Sequence, residues 1–303
     1  MSRQGLAGRA IRYSGLPWLI RRVWARRRAS IVLYHDPDPE TFEAHLRFLA
    51  RHYNFVSLDA VVDALYAEDW SSLPDRPLVV TLDDGHARNR RLVAIAEAYG
   101  LRPTIFLCTQ IVGTQRGFWF YAMPLDEVEA LKRLPWAELQ KRLVRDWSFE
   151  VTQEGSDRSP EALSREDLDA IADRVDFGSH TRFHPILPGC DETTLETEVA
   201  VSKREVEALT GRACDHFAYP NGNFGEREVE AVRRAGYRSA RSIEIGWTRP
   251  GSDPYRLKIT GVSDDASVDT MVAQLSGIPG WLRSLRPGPR SGDPLPKTER
   301  PGC

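Results

Sequence analysis

Two adjacent carboxylates, Asp83 and Asp84, stand directly after an apolar run and before Gly85. The run, residues 78–82, is rich in strand-forming residues, and α/β folds place their chemistry at the carboxyl ends of strands. Successive side chains of a regular strand point to opposite faces, so the two carboxylates would then not share a task. At an irregular strand end, one could hold a metal ion while the other handles a proton. Because Asp and Gly also favour turns, the run alone leaves a plain turn equally open.

A pair of imidazoles, His180 and His184, follows a second predicted strand at residues 175–178. Histidines four residues apart can converge on one ion from a helical turn or a tight loop. Two histidines and one carboxylate make a three-ligand site that leaves positions open for water and substrate. The remaining carboxylate could then act as the base that deprotonates the attacking water. Such a histidine spacing often arises by chance, but the acidic strand end strengthens the metal-site hypothesis.

Strand and helix patterns alternate from Ser30 onward, which would bring these residues to one rim. Repeated strand–helix units spread over about 250 residues indicate parallel strands with helices outside, as a barrel or an open sheet. Residues 110–175 break this rhythm and predict an insertion or lid. Its aromatic cluster, residues 118–121, could stack on sugar rings or pack inside the insertion. Apolar runs predict strands at residues 31–34, 78–82, 104–108, 175–178, 216–220 and 255–259.

Charge is distributed unevenly along the chain. Residues 1–28 contain eight arginines and no acid, while the remaining 275 residues carry 33 basic and 43 acidic side chains. A body this acidic argues against nucleic acid as a partner. The four cysteines show neither a paired metal-type spacing nor a dense disulfide framework.

The N-terminal segment predicts an amphipathic helix. Its apolar residues Leu16, Leu19, Ile20, Val23 and Trp24 share one helical face. The surrounding arginines suit an anionic membrane surface, and the alternative is a helix docked on the protein's own acidic body. No transmembrane helix is predicted, and arginines interrupt every early apolar run, so we expect no signal peptide. The expected location is the cytoplasm, peripheral at the inner membrane face.

Three segments together resemble the motifs of the polysaccharide deacetylases of the NodB-homology group (carbohydrate esterase family 4). TLDDG at residues 81–85 is similar to the first motif, usually TFDDG. HTRFH at residues 180–184 matches the second, H-S/T-x-x-H, and FAYPNG at residues 217–222 is similar to a variant of the third that ends in Tyr-Pro-x-Gly. The first two motifs are specific in this order at a separation of about 100 residues, and here Asp84 and His180 are 96 positions apart.

The resemblance, which covers roughly residues 30–262, implies a distorted (β/α) barrel of about seven parallel strands with an insertion. It also implies removal of N-acetyl groups from amino sugars with one divalent metal ion, zinc first and Ni, Co or Fe as alternatives. Carried over by motif, Asp84, His180 and His184 would be the metal ligands, and Asp83 would be the base.

The third motif implies a further part of the site and shows one departure. A backbone N–H at Asn221 would help to hold the oxyanion, and Tyr219 and Pro220 would shape one wall. Many members have an arginine in this motif that pairs with the catalytic aspartate, and the matching residue here is Ala218. The charge that tunes Asp83 must therefore come from elsewhere.

A second departure concerns the general acid. Many members carry a late histidine that protonates the leaving amine, and no histidine follows His216 here. We expect His35 to replace it, because it ends the first strand and lies in a Leu-Tyr-His segment similar to one in the biofilm-polysaccharide branch of the family. A strand-end histidine bonded to a loop carbonyl is the alternative. Lys258 or Arg256 could supply the positive charge beside Asp83, although both could equally be solvated rim charges.

The predicted organisation is a basic amphipathic segment (1–28), a deacetylase domain (29–283) containing the insertion, and a disordered tail (284–303). The predicted function is metal-dependent removal of an N-acyl group from an amino sugar in a glycan or lipid-linked glycan precursor. The alternative is a glycan-binding or scaffolding relative with impaired catalysis, which Ala218 and the missing late histidine favour and the intact Asp-Asp and His-x-x-x-His disfavour.

Overall fold

A computed structural model of the protein describes residues 3–155 and 161–278. All strand pairs in its sheet are parallel. The described strands are β1 (Ser30–Tyr34), β2 (Asn54–Phe55), β3 (Pro77–Leu82), β4 (Thr104–Leu107), β5 (Asp176–Ser179), β6 (His216–Ala218), β7 (Ser239–Ile245) and β8 (Leu257–Ile259).

Seven of these strands run side by side in the order β1-β3-β4-β5-β6-β7-β8, and β2 pairs with the start of β3. The chain just after β8 returns to β1, where the Thr260 N–H donates to the Ile31 carbonyl at 2.8 Å. The sheet is therefore a nearly closed, distorted (β/α) barrel, which confirms the predicted fold. The sequence did not predict β2 or β7, and it placed β5 one residue too early.

Helices surround the barrel and begin at recognisable caps. Ser164, Asp191 and Ser267 each accept a hydrogen bond from a main-chain N–H in the first turn of the helix that follows. The described α-helices are α1 (Arg3–Tyr13), α2 (Leu16–Leu19), α3 (Pro39–His52), α4 (Leu58–Tyr66), α5 (Asn89–Glu97), α6 (Leu125–Leu131), α7 (Trp136–Trp147), α8 (Arg165–Ile171), α9 (Glu192–Glu196), α10 (Ser202–Thr210), α11 (Glu226–Arg234) and α12 (Val268–Leu275).

Alternation along β1 divides the core into an inner and an outer part. Ile31 and Leu33 belong to the same buried cluster as Phe106 on β4 and Ala218 on β6, which reach them across the barrel interior. Val32 belongs to the larger cluster between the strands and the surrounding helices. Both faces of the strand are thus buried, as expected for a parallel sheet covered by helices.

The amino-terminal end of the barrel is closed by side chains and by α4. His216, the first residue of β6, is buried there. Its Nε2 lies 3.0 Å from Asp59 Oδ1 on α4, and its Nδ1 lies 2.9 Å from Ser239 Oγ. These contacts give His216 a structural role at the amino-terminal end of the barrel. Barrels of this kind carry their chemistry at the carboxyl end.

The connection from β4 to β5 contains the predicted insertion. It carries a short 3₁₀ turn (Trp119–Tyr121) and the helices α6, α7 and α8. Across the described ranges, no helix combines the length and apolar character needed to cross a membrane. The predicted disordered tail, 284–303, lies outside the described residues.

Candidate active site

The end of β3 turns sharply and brings both carboxylates to one pocket. Asp83 follows the last residue of the strand, and Asp84 has a left-handed backbone with φ of 70°. The strand alternation is thereby broken, so Asp83 and Asp84 both line the same cavity. Gly85 continues the turn with φ of 78°, and a Cβ there would lie 2.8 Å from Val112 Cγ1 and 2.9 Å from Leu107 Cδ2. Glycine is needed at this position on both grounds.

Asp84, His180 and His184 converge on one point. Their nearest ligand atoms all lie within 4.8 Å of one another, and all three residues are buried. The Nε2 atoms of His180 and His184 each lie 3.6 Å from Asp84 Oδ1. Asp83 stands beside this group, with its Oδ2 3.8 Å from His180 Nε2. The structure thus brings together the four residues predicted as ligands and base.

The loop from His180 to His184 is held in a strained form. His180 Nδ1 lies 2.7 Å from the Ala218 carbonyl, which fixes the protonated nitrogen and leaves Nε2 with a bare lone pair. Thr181 and His184 both adopt left-handed backbone conformations, with φ of 69° and 59°. The Thr181 hydroxyl accepts a hydrogen bond from the His184 N–H. Non-glycine residues in this region of φ carry strain, which collects at functional sites.

Glu198 holds the same loop in place through hydrogen bonds. This carboxyl lies in a π-helical turn (Thr197–Val201), is 3% exposed, and accepts hydrogen bonds from the N–H groups of Arg182 at 2.8 Å and Phe183 at 3.2 Å. Burial raises the pKa of Glu198 to about 7, against the pull of these two donors. Nothing in the local sequence distinguishes Glu198 from a solvated helix glutamate, so sequence reasoning missed it.

The electrostatics of the cluster fit a divalent cation. Burial opposes ionisation of Asp84, but the hydrogen bond from His86 and the neighbouring His184 and His180 rings hold its pKa far below the usual range. Burial lowers the pKa of His184 to about 3, so its imidazole is neutral at physiological pH. A carboxylate and two imidazoles are the donor set that zinc and related metals bind. His184 Nδ1 is buried without a hydrogen-bond partner, so no hydrogen bond at that atom fixes the ring in another role.

His86 is a contact of the cluster that the sequence motifs did not reveal. It is 3% exposed and its Nε2 lies 3.1 Å from Asp84 Oδ2. The hydrogen bond and the negative charge of Asp84 raise the pKa of His86, although burial opposes this. A partner of this kind orients a ligating carboxylate. Its position directly after Gly85 was the available signal.

Arg241 supplies the positive charge that the third motif lacks. It lies on β7, in register with Ala218 on β6, and its side chain is 1% exposed. Its Nη2 donates to both oxygens of Asp83, at 2.6 Å to Oδ1. The guanidinium also lies 5.2 Å from the centre of the Phe106 ring. The arginine that many relatives place in the motif itself therefore comes here from the neighbouring strand.

The prediction that Lys258 or Arg256 supplies this charge is corrected by these contacts. Lys258 is half exposed and its Nζ lies 3.2 Å from Glu244. Arg256 pairs with Glu226 at the surface. The side chains of Lys258 and Arg256 therefore lie on the outside of the barrel. The Arg241 side chain lies on the buried face of β7 and reaches Asp83.

Tyr219 and Asn221 of the third motif line the pocket. Tyr219 is buried, stacks on Phe224 with ring centres 4.5 Å apart, and donates its hydroxyl to the Tyr255 carbonyl. Pro220 is buried and is not among the described residues that line the pocket, so its part in the wall stays a prediction. Asn221 lines the cavity with φ of 55°, a further left-handed non-glycine residue. Its role at the oxyanion stays a prediction.

His35 opens onto the same cavity from the end of β1. Its side chain is 46% exposed, and its Nδ1 lies 3.9 Å from Asp264 Oδ2. Its own N–H donates to the Asp264 carboxylate, and its carbonyl accepts from Asn89 Nδ2 at 2.9 Å. The main chain is thus fixed while the imidazole remains accessible to a substrate. The acid role of His35 stays a prediction.

The cavity has a volume of about 610 Å³, within the size range of small-molecule sites. One wall comes from the insertion, where Phe120 and Tyr121 face the cavity while Phe118 and Trp119 are buried. The packing interpretation therefore holds for Phe118 and Trp119, while stacking on sugar rings stays a prediction for Phe120 and Tyr121. The opposite rim is acidic and carries Asp36, Asp38, Asp264 and Asp265.

Comparison with known proteins agrees with this geometry. The family profile described as polysaccharide deacetylase matches residues 71–240, more than half of the chain, including all three motifs. The chain belongs to the polysaccharide deacetylase family. A curated relative assigned to the same family, YxkH of Bacillus subtilis (strain 168), is 21% identical over 259 residues, which cover 82% of this chain and 76% of that protein.

Solved structures share the fold of this deacetylase. The Streptococcus pyogenes deacetylase PplD in complex with acetate matches with a TM-score of 0.60 and 16% identity, over 82% of this chain and 98% of that one. IcaB from Ammonifex degensii matches with a TM-score of 0.60 and 18% identity, over 82% and 97%. The predicted family is confirmed, and the protein is an N-deacetylase, a hydrolase that acts on an acetylated sugar or glycan.

Proposed function

We propose that this deacetylase removes an N-acyl group, N-acetyl first, from an amino sugar in a glycan or lipid-linked glycan precursor, and that it requires one divalent metal ion. The metal requirement is supported by the different contacts that the two carboxylates make. Asp84 faces the Nε2 atoms of both histidines, while Asp83 is paired with Arg241. One carboxylate is thereby arranged for a cation and the other for a proton.

In this proposal Asp84, His180 and His184 hold the metal, with zinc as the first expectation and Ni, Co or Fe as alternatives. Once bound, the ion would supply Lewis-acid chemistry, which polarises the amide carbonyl and makes water more acidic. The hydrogen bonds from His86 to Asp84 and from His180 to the Ala218 carbonyl orient the ligands before the ion arrives.

Asp83 would take the proton from the water that attacks the carbonyl carbon. The buried Arg241 guanidinium contacts this carboxylate and holds it in place. Asn221 would donate its backbone N–H to the oxygen of the tetrahedral intermediate. These roles need no rearrangement of the fold, because both residues line the same cavity.

His35 would donate a proton to the amine nitrogen as the carbon–nitrogen bond breaks. An amine leaves poorly without such a proton, so an acid is needed. Asp264 lies beside the imidazole, with its Oδ2 3.9 Å from Nδ1. The acid and the base would thus approach the substrate from β1 and β3, which are neighbouring strands.

Arg241 also weakens the case for a catalytically impaired relative. That alternative depended on the missing arginine at Ala218 and the missing late histidine. The arginine is present on β7, and an accessible histidine stands at the cavity. The location in the cytoplasm, at the inner face of the membrane, remains part of the proposal, supported by the arginine-rich N-terminal segment.

The proposal is tested by measuring acetate and formate release from purified N-acylated glycans, free and lipid-linked. Protein stripped of metal should be inactive and should regain activity with Zn, Ni, Co or Fe. Asp83→Asn should abolish release, and the matched surface variant Asp253→Asn should not. Full turnover in the metal-free protein would refute the metal requirement, and full turnover of Asp83→Asn would refute the assignment of the base.

A further inference from the structure

The N-terminal segment presents an unusually apolar surface to solvent. Large hydrophobic residues that are exposed are few in the described ranges, and seven of the eleven lie between residues 6 and 24. We call these seven residues the N-terminal surface: Leu6, Tyr13, Leu16, Trp18, Leu19, Val23 and Trp24, with exposures from 49% to 70%. Contiguous exposed apolar patches mark interaction sites in soluble proteins.

The segment that carries this surface is anchored on the body of the protein. Helix α1 packs on α12, where a Cβ on Gly8 would come within 3.0 Å of Thr270 Cα, and Arg12 pairs with Asp269. At the other end of the segment, Ala29 exchanges two main-chain hydrogen bonds with Thr248, at 2.8 and 3.0 Å. The body of the protein therefore anchors the segment at both ends and still leaves its apolar side chains outside. The alternative, a helix whose apolar face docks on the protein's own body, does not describe Leu16, Leu19, Val23 and Trp24.

Positive charge surrounds the same residues. The segment carries eight arginines, and the first acidic residue of the chain is Asp36. The guanidinium of Arg28 lies 4.2 Å from the ring centre of Trp24, and that of Arg22 lies 5.5 Å from the ring centre of Trp18. Neither arginine takes part in any salt bridge among the described residues.

The basic region extends onto α3. A shallow groove there is lined by Arg12, Arg47, Arg51 and His52 around Phe48, and the Arg21 guanidinium lies 5.5 Å from the Phe48 ring centre. Indole rings and long cationic side chains together suit the boundary between lipid headgroups and acyl chains.

We propose that the N-terminal surface binds an anionic lipid bilayer. Apolar side chains would enter the headgroup region while the arginines contact lipid phosphates. The chain's own C-terminal segment is a poor occupant, because residues 279–303 carry five basic and two acidic side chains and would be repelled by the arginines. The inference extends the proposed location and does not depend on the deacetylation chemistry.

The position of the surface sets the orientation of the bound protein. Residues 25–29 lie at the amino-terminal ends of the strands, because the Arg26 carbonyl accepts from the Arg76 N–H just before β3. Arg21 contacts Phe48 near the carboxyl end of α3, at the same end of the barrel. The pocket with Asp83 and Asp84 opens at the opposite end. Lipid binding would therefore hold the protein at the membrane with its pocket directed away from the bilayer.

The test is sedimentation of the full-length protein with vesicles of phosphatidylcholine alone or of phosphatidylcholine mixed with phosphatidylglycerol. We expect binding to the mixed vesicles only, weakening as salt is added. Trp18→Ser combined with Trp24→Ser, and separately Arg22→Glu, should each weaken binding about tenfold or more. Matched controls at exposed residues of α7 and α10, Val144→Ser and Arg204→Glu, should bind like the unaltered protein.

Acetate release from a soluble N-acetylated glycan and the far-UV circular dichroism spectrum serve as folding controls, and both should be unchanged in every variant. Failure of the unaltered protein to bind mixed vesicles would overturn the proposal, as would binding that survives Trp18→Ser with Trp24→Ser. Concentration-dependent self-association that these changes abolish, without vesicle binding, would show instead a protein–protein surface. Loss of acetate release with intact lipid binding would count against the proposed chemistry alone.

Discussion

Removing the charge of Arg241 should slow the reaction by leaving the base without its partner. In Arg241→Met, Asp83 loses its only described arginine partner, a donor 2.6 Å from Oδ1 in a pair whose side chains are 1% and 4% exposed. Because this contact holds the carboxylate in place, and a positioned base typically contributes about 10² to 10⁴-fold, kcat/KM for acetate release should fall by up to that factor.

Stability provides a second readout of the same change. Leaving one member of a buried ion pair without its partner costs about 3 to 5 kcal/mol, so Arg241→Met should lower the free energy of unfolding at neutral pH by that amount. Arg241→Lys keeps the charge and loses the planar guanidinium, so its kcat/KM should lie between those of Arg241→Met and the unaltered protein. The matched control is Arg256→Met, which removes a surface arginine at the other candidate position.

The assay is acetate release at neutral pH, with unfolding by urea followed in parallel. The reasoning is refuted if Arg241→Met folds, binds metal and keeps an unchanged kcat/KM. An identical loss in Arg256→Met would show that the rate reports general surface charge rather than the contact with Asp83.

Three further predictions concern the acid, the supporting carboxyl and the partner of the metal ligand. His35→Ala should slow amide cleavage about 10² to 10⁴-fold at unchanged metal content, with a smaller loss on an activated acetyl ester whose leaving group needs no proton; loss of metal would contradict the acid role. Glu198, whose pKa is raised to about 7 from 4.5, holds its proton in the folded state where the unfolded chain has lost it. Stability should therefore fall by about 3 kcal/mol as pH rises from 4.5 to 7, then level off. Glu198→Gln should flatten this dependence in urea unfolding and Glu205→Gln should not; equal curves for all three proteins would count against it. His86→Phe should weaken zinc affinity about 10 to 100-fold by competition with a chelating dye, while His52→Phe should leave it unchanged; an unaltered affinity in His86→Phe would show that the bond to Asp84 orients nothing.

The parts of the fold that local patterns encode were predictable. The run into Asp83 is apolar and β-branched because β3 is buried on both faces, and such a run reads as a strand wherever it occurs. The helical stretch made of α9, the π-helical turn and α10 begins after Asp191 and ends at Gly211, and capping chemistry accounts for both ends. The site motifs were predictable for the same reason, since each is short and continuous.

Contacts between distant strands could not be read in this way. Strand β7 reads as Ser-Ala-Arg-Ser-Ile-Glu-Ile, and its buried arginine resembles a surface residue until Asp83, 158 positions away, is placed beside it. His45 is a second case, because it lies in the charged helix α3 and nothing in the local sequence marks it as buried. It is fully buried, with its ring nitrogens 3.0 Å from the Tyr34 hydroxyl and 2.7 Å from the Ala266 carbonyl. Only the tertiary structure supplies these partners.

The central claim is that the two adjacent carboxylates have separate tasks. It is tested most directly by measuring metal content and acetate release together in Asp83→Asn and Asp84→Asn. We expect one zinc ion per chain and no acetate release in Asp83→Asn, and loss of both in Asp84→Asn. Loss of zinc in Asp83→Asn, or retention of zinc and turnover in Asp84→Asn, would contradict the account.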